Sequence, residues 1–187
     1  HDPAIVARFC ELAPTLCATL EQDANWQTLL AIEPLPQFYS DEDLDNATLV
    51  MADFTDLLSP FFTGHSRNVA TLAEAAAKEY GLPQSEIKTV WRAALAHDLG
   101  KVAVPYGLWN RARPLSNSEW ERVRLHPYYT ERILARPSAL AQLGTIAACH
   151  HERLDGSGYH RSVRGEMRGA HGVIAAGRTF TVDAGAR

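Results

Sequence analysis

The sequence is short of cysteine, of surplus positive charge and of long hydrophobic runs. Its three cysteines, Cys10, Cys17 and Cys149, are odd in number and lack CxxC spacing. That argues against a disulfide framework or a structural zinc site. They read as small buried hydrophobes in a reducing compartment, and the expected location is cytoplasmic. Eighteen Lys and Arg stand against 22 Asp and Glu, a net charge of −4. This argues against nucleic-acid binding through bulk charge, and the chain carries no direct DNA-binding signal. The longest apolar stretches fall well short of the ~18 residues that a membrane helix needs, so no membrane segment is expected. No signal-peptide pattern follows His1, and a chain beginning without Met is expected to be a piece of a longer parent with further domains. No alternating strand pattern, internal repeat or low-complexity stretch is found.

What is present is ordinary globular material: 187 residues, 46% hydrophobic and 21% charged, enough for one domain with a helical attachment. The pattern predicts an all-α fold. Asp2-Pro3 is a helix start, followed by Ile5, Val6, Phe9, Leu12, Leu16 and Leu20 at near-helical spacing, with Pro14 expected to kink or break it. Ser40 with Asp43 is a capping-box variant, and its helix is expected to continue to Ser59-Pro60. Further series start near Gly64, at Ser85-Glu86, at Ser116-x-x-Glu119 and at Pro137-Ser138, with Pro127 interrupting one of them. The expected organisation is an N-terminal helical extension over 1–60 and an HD-type helical domain, shortened at its C-terminus, over 61–187.

Eight histidines are the unusual feature. Five of them, His65, His97, His126, His150 and His151, fall at the ends of predicted helical segments. A lone histidine is ordinarily structural, but two of these carry immediate partners. His97 is followed by Asp98, and His150-His151 by Glu152. Imidazoles with a carboxylate suit Zn, Fe, Mn or a related divalent ion. An Asp beside a His can bridge two ions, and such a pair lowers the pKa of bound water towards ~7 for a phosphoryl displacement. Lys101, three residues beyond Asp98, is spaced to meet a phosphate oxygen.

The series His65 … His97-Asp98-Leu99-Gly100-Lys101 … His126 … His150-His151-Glu152-Arg153-Leu154-Asp155-Gly156-Ser157-Gly158-Tyr159 resembles the HD superfamily of metal-dependent phosphohydrolases, and within it the HD-GYP branch. The resemblance covers about residues 60–180. It implies an all-helical domain with two or more iron, manganese or similar ions, and hydrolysis of cyclic di-GMP to pGpG or GMP. By position it makes His65, His97, Asp98, His126, His150 and His151 the metal ligands and Lys101 the phosphate contact. Catalysis would rest on Asp98 and Lys101, and Asp155, Gly156, Gly158 and Tyr159 would form the substrate-side loop. The partner implied is a cyclic dinucleotide or another nucleotide phosphodiester.

The chain departs from the family pattern in three places. His160 stands where GYP has Pro, Phe61 stands where three-metal members have Glu, and Arg178 or Thr179 stands where a ligating Asp is expected, with Asp183 about a turn late. Two ions are therefore expected rather than three. The alternative reading is a regulatory module that binds metal or nucleotide without turnover. Trp91 and Trp120 read as core residues and Trp109 as a candidate nucleotide contact. Arg111, Arg113, Arg122 and Arg124 form a local basic region, either a solvated face or a lure for a phosphodiester.

Overall fold

Ser40 and Ser116 open helices by the same device. Each serine hydroxyl accepts the amide three residues on, and the carboxylate there, Asp43 or Glu119, accepts the serine amide in return. The computed structural model describes residues 2–20, 39–153 and 155–162, and among these every regular element is helical. In chain order they are α1 (Pro3–Leu20), α2 (Asp41–Asp56), a 3-10 turn (Pro60–Phe62), α3 (His65–Glu79), α4 (Gln84–Leu95) and a second 3-10 turn (Leu99–Ala103). Then come α5 (Tyr106–Trp109), α6 (Asn117–Val123), α7 (His126–Leu134), a third 3-10 turn (Ser138–Leu140) and α8 (Ala141–Ala147). No helix here is long and apolar enough to cross a membrane.

The chain divides into two compact units, His1–Phe38 and Tyr39–Arg187. In the first, α1 continues through Pro14 without a break, and Ile5, Val6, Phe9, Leu12 and Leu16 are exposed. Cys10 and Cys17 are exposed as well, which corrects the reading of all three thiols as buried; Cys149 alone of the three is. Helical spacing shows which residues share a face, not whether anything covers that face.

In the second unit α3 packs on α4, α8 packs on α4 and α7, and α2 lies against α3 and α4. The core is rich in alanine where helices approach closely: Ala70, Ala73 and Ala77 of α3, Ala93 and Ala94 of α4, and Ala147 of α8. Leu95 and Leu134 fill it, each worth roughly 1.5–3 kcal/mol of transfer free energy. The helix predicted to reach Ser59-Pro60 ends at Asp56, and Pro60 instead opens a 3-10 turn. Pro127 does not interrupt a helix; it sits in the first turn of α7, where its missing N–H is harmless. Trp91 is half-buried against the core, but Trp120 is exposed, contrary to the expectation of core packing.

Candidate metal centre

Each of the five histidines stands at a helix end. His65 and His126 begin α3 and α7; His97 follows α4, and His150 and His151 follow α8. Helix ends leave backbone carbonyls free, and three of the rings use them. Nδ1 of His97 donates to the Ala94 carbonyl at 2.7 Å, that of His126 to Val123 at 2.6 Å and that of His150 to Ala147 at 2.6 Å. A carbonyl can only accept, so all three rings carry the proton on Nδ1 and turn an Nε2 lone pair inward.

Those lone pairs converge on Asp98, which begins the 3-10 turn after α4 and is buried. Its Oδ2 lies 3.1 Å from Nε2 of His97 and 3.4 Å from Nε2 of His65. Its Oδ1 lies 3.3 Å from Nε2 of His126 and 3.5 Å from Nε2 of His150. Two groups result, His65–His97–Asp98 and His126–His150–His151, and within each the ligand atoms lie within 4.8 Å of one another. One carboxylate oxygen of Asp98 faces each group.

The donor set fits divalent cations. His97 Nε2 and both Asp98 oxygens are buried without a well-directed hydrogen bond, a costly state for polar atoms. The His126 and His150 Nε2 atoms face each other at 3.0 Å, with both lone pairs in the gap. Imidazole nitrogens sharing a carboxylate are the ligands of zinc, iron or manganese rather than of calcium. Burial pushes the imidazoles of His97 and His150 down in pKa, keeping them in the neutral, ligating form. Burial would raise the Asp98 carboxyl, but the positive charge of Lys101 beside it outweighs this and holds it well below the usual carboxylate range.

Lys101, also buried, places Nζ 2.5 Å from Asp98 Oδ2 and 3.7 Å from the centre of the Phe62 ring. Trp109 packs edge-on to Phe62 and His126 and donates Nε1–H to the Lys101 carbonyl at 3.2 Å. The aromatic residue read as a candidate nucleotide contact thus forms a wall of the centre. Phe61 is exposed.

The loop beyond His151 is brought to the centre in part. Tyr159 stacks on His151 with ring centres 4.2 Å apart, and its hydroxyl lies 2.9 Å from His151 Nε2. Gly158 has no room for a side chain, because a Cβ there would sit 2.5 Å from the Glu152 Cα. Gly156 adopts φ +77°, the left-handed region open to glycine. Asp155 is exposed and accepts the Ser157 amide at 2.9 Å, bracing the loop from outside. His160 is half-buried, 3.8 Å from Glu131. Arg111 and Arg113 pair with Glu119 and Arg124 with Glu121, so much of the basic region is internally neutralised. His171, Arg178, Thr179 and Asp183 lie outside the described residues.

Sequence reasoning overlooked Thr130. Its hydroxyl is buried between the two ligand-bearing segments, accepting the Gly100 amide at 2.8 Å and donating to the His97 carbonyl at 2.9 Å. Its one sequence signal is the i,i+4 spacing from His126, which puts the two on one helix face.

A family model described as "HD domain" matches residues 50–167. A 3'3'-cGAMP-specific phosphodiesterase of Vibrio cholerae is 35% identical over 137 residues, covering 71% of this chain and 30% of that protein. A cyclic di-GMP phosphodiesterase of Thermotoga maritima is 35% identical over 114 residues, 60% of this chain and 31% of the relative. The chain therefore spans about a third of the length of these curated relatives.

Proposed function

Since the chain belongs to the HD domain family, we propose that it is a metal-dependent phosphodiesterase of HD-GYP type, opening a cyclic dinucleotide such as cyclic di-GMP or 3'3'-cGAMP. The observation that carries this reading is the placement of Asp98, with one oxygen towards each of two ligand groups. His65, His97 and Asp98 would hold one ion, and His126, His150 and His151 the other, with Asp98 shared; iron or manganese suits the donors. Two such ions supply Lewis acidity and a water of lowered pKa.

The chain's own residues do the rest. The Nδ1 bonds of His97, His126 and His150 fix ring planes before anything binds, so little reorganisation is left for the reaction. Lys101, held at the edge of the centre by Phe62, offers a fixed positive charge to a phosphate oxygen. Tyr159 and the glycine turn would line the substrate side, with Asp155 holding the turn's shape. The organisation that accompanies this reading is an HD-GYP-like domain over 61–187 preceded by helical residues within 1–60, of which α2 packs with the domain.

The test is turnover. The purified chain loaded with Mn²⁺ or Fe²⁺ is expected to convert cyclic di-GMP or 3'3'-cGAMP to linear product, and the His97→Ala, Asp98→Ala double variant to lose this. Nucleotide affinity with intact substrate, under every metal tried, would instead support the regulatory module.

A further inference from the structure

α2 carries four carboxylates that each reach a neighbouring helix. Near its start, Asp45 accepts Arg92 Nε at 2.6 Å and Asp41 accepts Arg92 Nη2 at 2.9 Å, while Lys88 lies 2.8 Å from Asp41 and 3.1 Å from Asp45. Arg92 is buried on α4, whose end leads into His97 and Asp98. Near the other end of α2, Asp53 takes Arg67 in a two-bond fork of 2.6 and 2.7 Å. Asp56 accepts the Ser66 amide at 3.1 Å and the Ser66 hydroxyl at 2.7 Å. Both residues that follow His65 are thus tied to α2.

The first turn of α3 needs such a partner. Its N-cap is Gly64, at φ +74°, which has no side chain to accept a first-turn amide. Asp56 supplies that acceptor from ten residues upstream, and its charge sits at the positive end of the helix dipole. Asp56 is 7% exposed and Ser66 fully buried, so water has little access to replace the contact. His65, the neighbour of Ser66, is the ligand of its group that α3 carries, and it is partly exposed. The second group hangs from α7 and the end of α8 instead.

We infer that Asp56 is a positioning residue: through Ser66 it sets where His65 stands against Asp98, and so governs the affinity of the His65–His97–Asp98 group for its divalent ion. The His126–His150–His151 group does not depend on it. This rests on the two-ion reading proposed above. Asp41 and Asp45 anchor the same helix to α4, so α2 acts as a splint between the segments that carry His65 and Asp98.

The experiment is calorimetric titration of Mn²⁺ into the full chain stripped with a chelator, comparing wild type, Asp56→Ala and Asp56→Asn, with circular dichroism checking the fold. Wild type is expected to show two classes of site. In Asp56→Ala one class should weaken about 10–100-fold, the range for loss of a residue that orients a ligand, and the other should hold within about twofold. Asp56→Asn keeps one acceptor oxygen and should recover part of the loss; it carries the test if the alanine variant fails to fold. The electron paramagnetic resonance spectrum at two equivalents of Mn²⁺ should shift from spin-coupled to isolated ions in step with the weakened class. Two classes that weaken together, or neither weakening, would overturn the inference and leave the two-ion reading intact. A wild-type chain that takes up fewer than two ions would overturn the two-ion reading, and the inference with it.

Discussion

Thr130 donates its hydroxyl proton to the His97 carbonyl at 2.9 Å and accepts the Gly100 amide at 2.8 Å. One side chain of α7 therefore clamps the turn that carries Asp98 to the helix that begins with His126. The contact is close because residue 100 has no side chain: a Cβ there would lie 2.0 Å from the His126 carbonyl oxygen and 2.4 Å from the Thr130 amide nitrogen. The two ligand groups are brought to either side of Asp98 by this backbone approach.

Thr130→Val is isosteric but leaves the buried Gly100 N–H and His97 carbonyl without this partner. The expected loss is about 3 kcal/mol of stability, read by urea unfolding of the metal-free protein. Gly100→Ala should cost at least as much, since the contacts it meets are backbone atoms that cannot rotate away. A stability within 0.5 kcal/mol of wild type (about the scatter of a neutral surface change) would show that the clamp is dispensable.

Asp98 faces both groups, whereas His126 belongs to one. Asp98→Asn is therefore expected to lower Mn²⁺ retention at both sites, and His126→Ala at one of them, as read by metal analysis after dialysis. Phosphodiester turnover should fall at least about 100-fold in either, given that even outer-shell changes cost 10–100-fold. Equal metal content in the two variants would contradict the shared carboxylate.

The metal-free protein should lose stability as pH falls below neutrality. Burial holds the pKa values of His97 and His150 below the ordinary 6.5, and His160 is shifted the same way. The unfolded chain therefore takes up protons first, so the stabilisation is complete above about 6.5 and is lost as pH drops below it. In chelator, the thermal midpoint is expected to fall between pH 7 and 5. A flat or rising midpoint would mean that these rings are hydrated.

Glu119 reports on its capping box. Hydrogen bonds from the Ser116 amide and hydroxyl, with Arg113 and Arg111 beside it, lower its pKa from 4.5 to about 2. A depressed carboxyl stabilises the fold above 4.5, and the contribution disappears as pH falls from there through about 2. Carboxyl-carbon NMR should place the Glu119 midpoint near 2 in wild type. Ser116→Ala keeps the amide and loses the hydroxyl, so the midpoint should rise part of the way towards the ordinary glutamate value; an unmoved midpoint would assign the shift to the amide and the arginines.

Much of this molecule was legible in its sequence, because the relevant forces are local. Ser40 and Ser116 declare their helix starts within four residues, whereas Pro14 and Pro127 sit inside helices where the sequence pattern predicts a break. The six clustered residues could be named together through the resemblance of their motif series to the HD-GYP branch. Where a reading required knowing what covers a surface, it went wrong: Cys10 and Cys17 are exposed and Trp120 faces outward.

The sequence by itself determined the all-helical class and the helix starts at Ser40 and Ser116, and its motif series, through a family resemblance, named the residues that converge. Tertiary structure decided how they converge: which histidines share an Asp98 oxygen, that Thr130 clamps the turn, and that Asp56 serves a helix it does not belong to. Spacing along a chain constrains residues a few positions apart through backbone geometry. The distance between Asp98 and His150 is set instead by how alanine-lined helices pack, a property of the whole core that no short segment encodes.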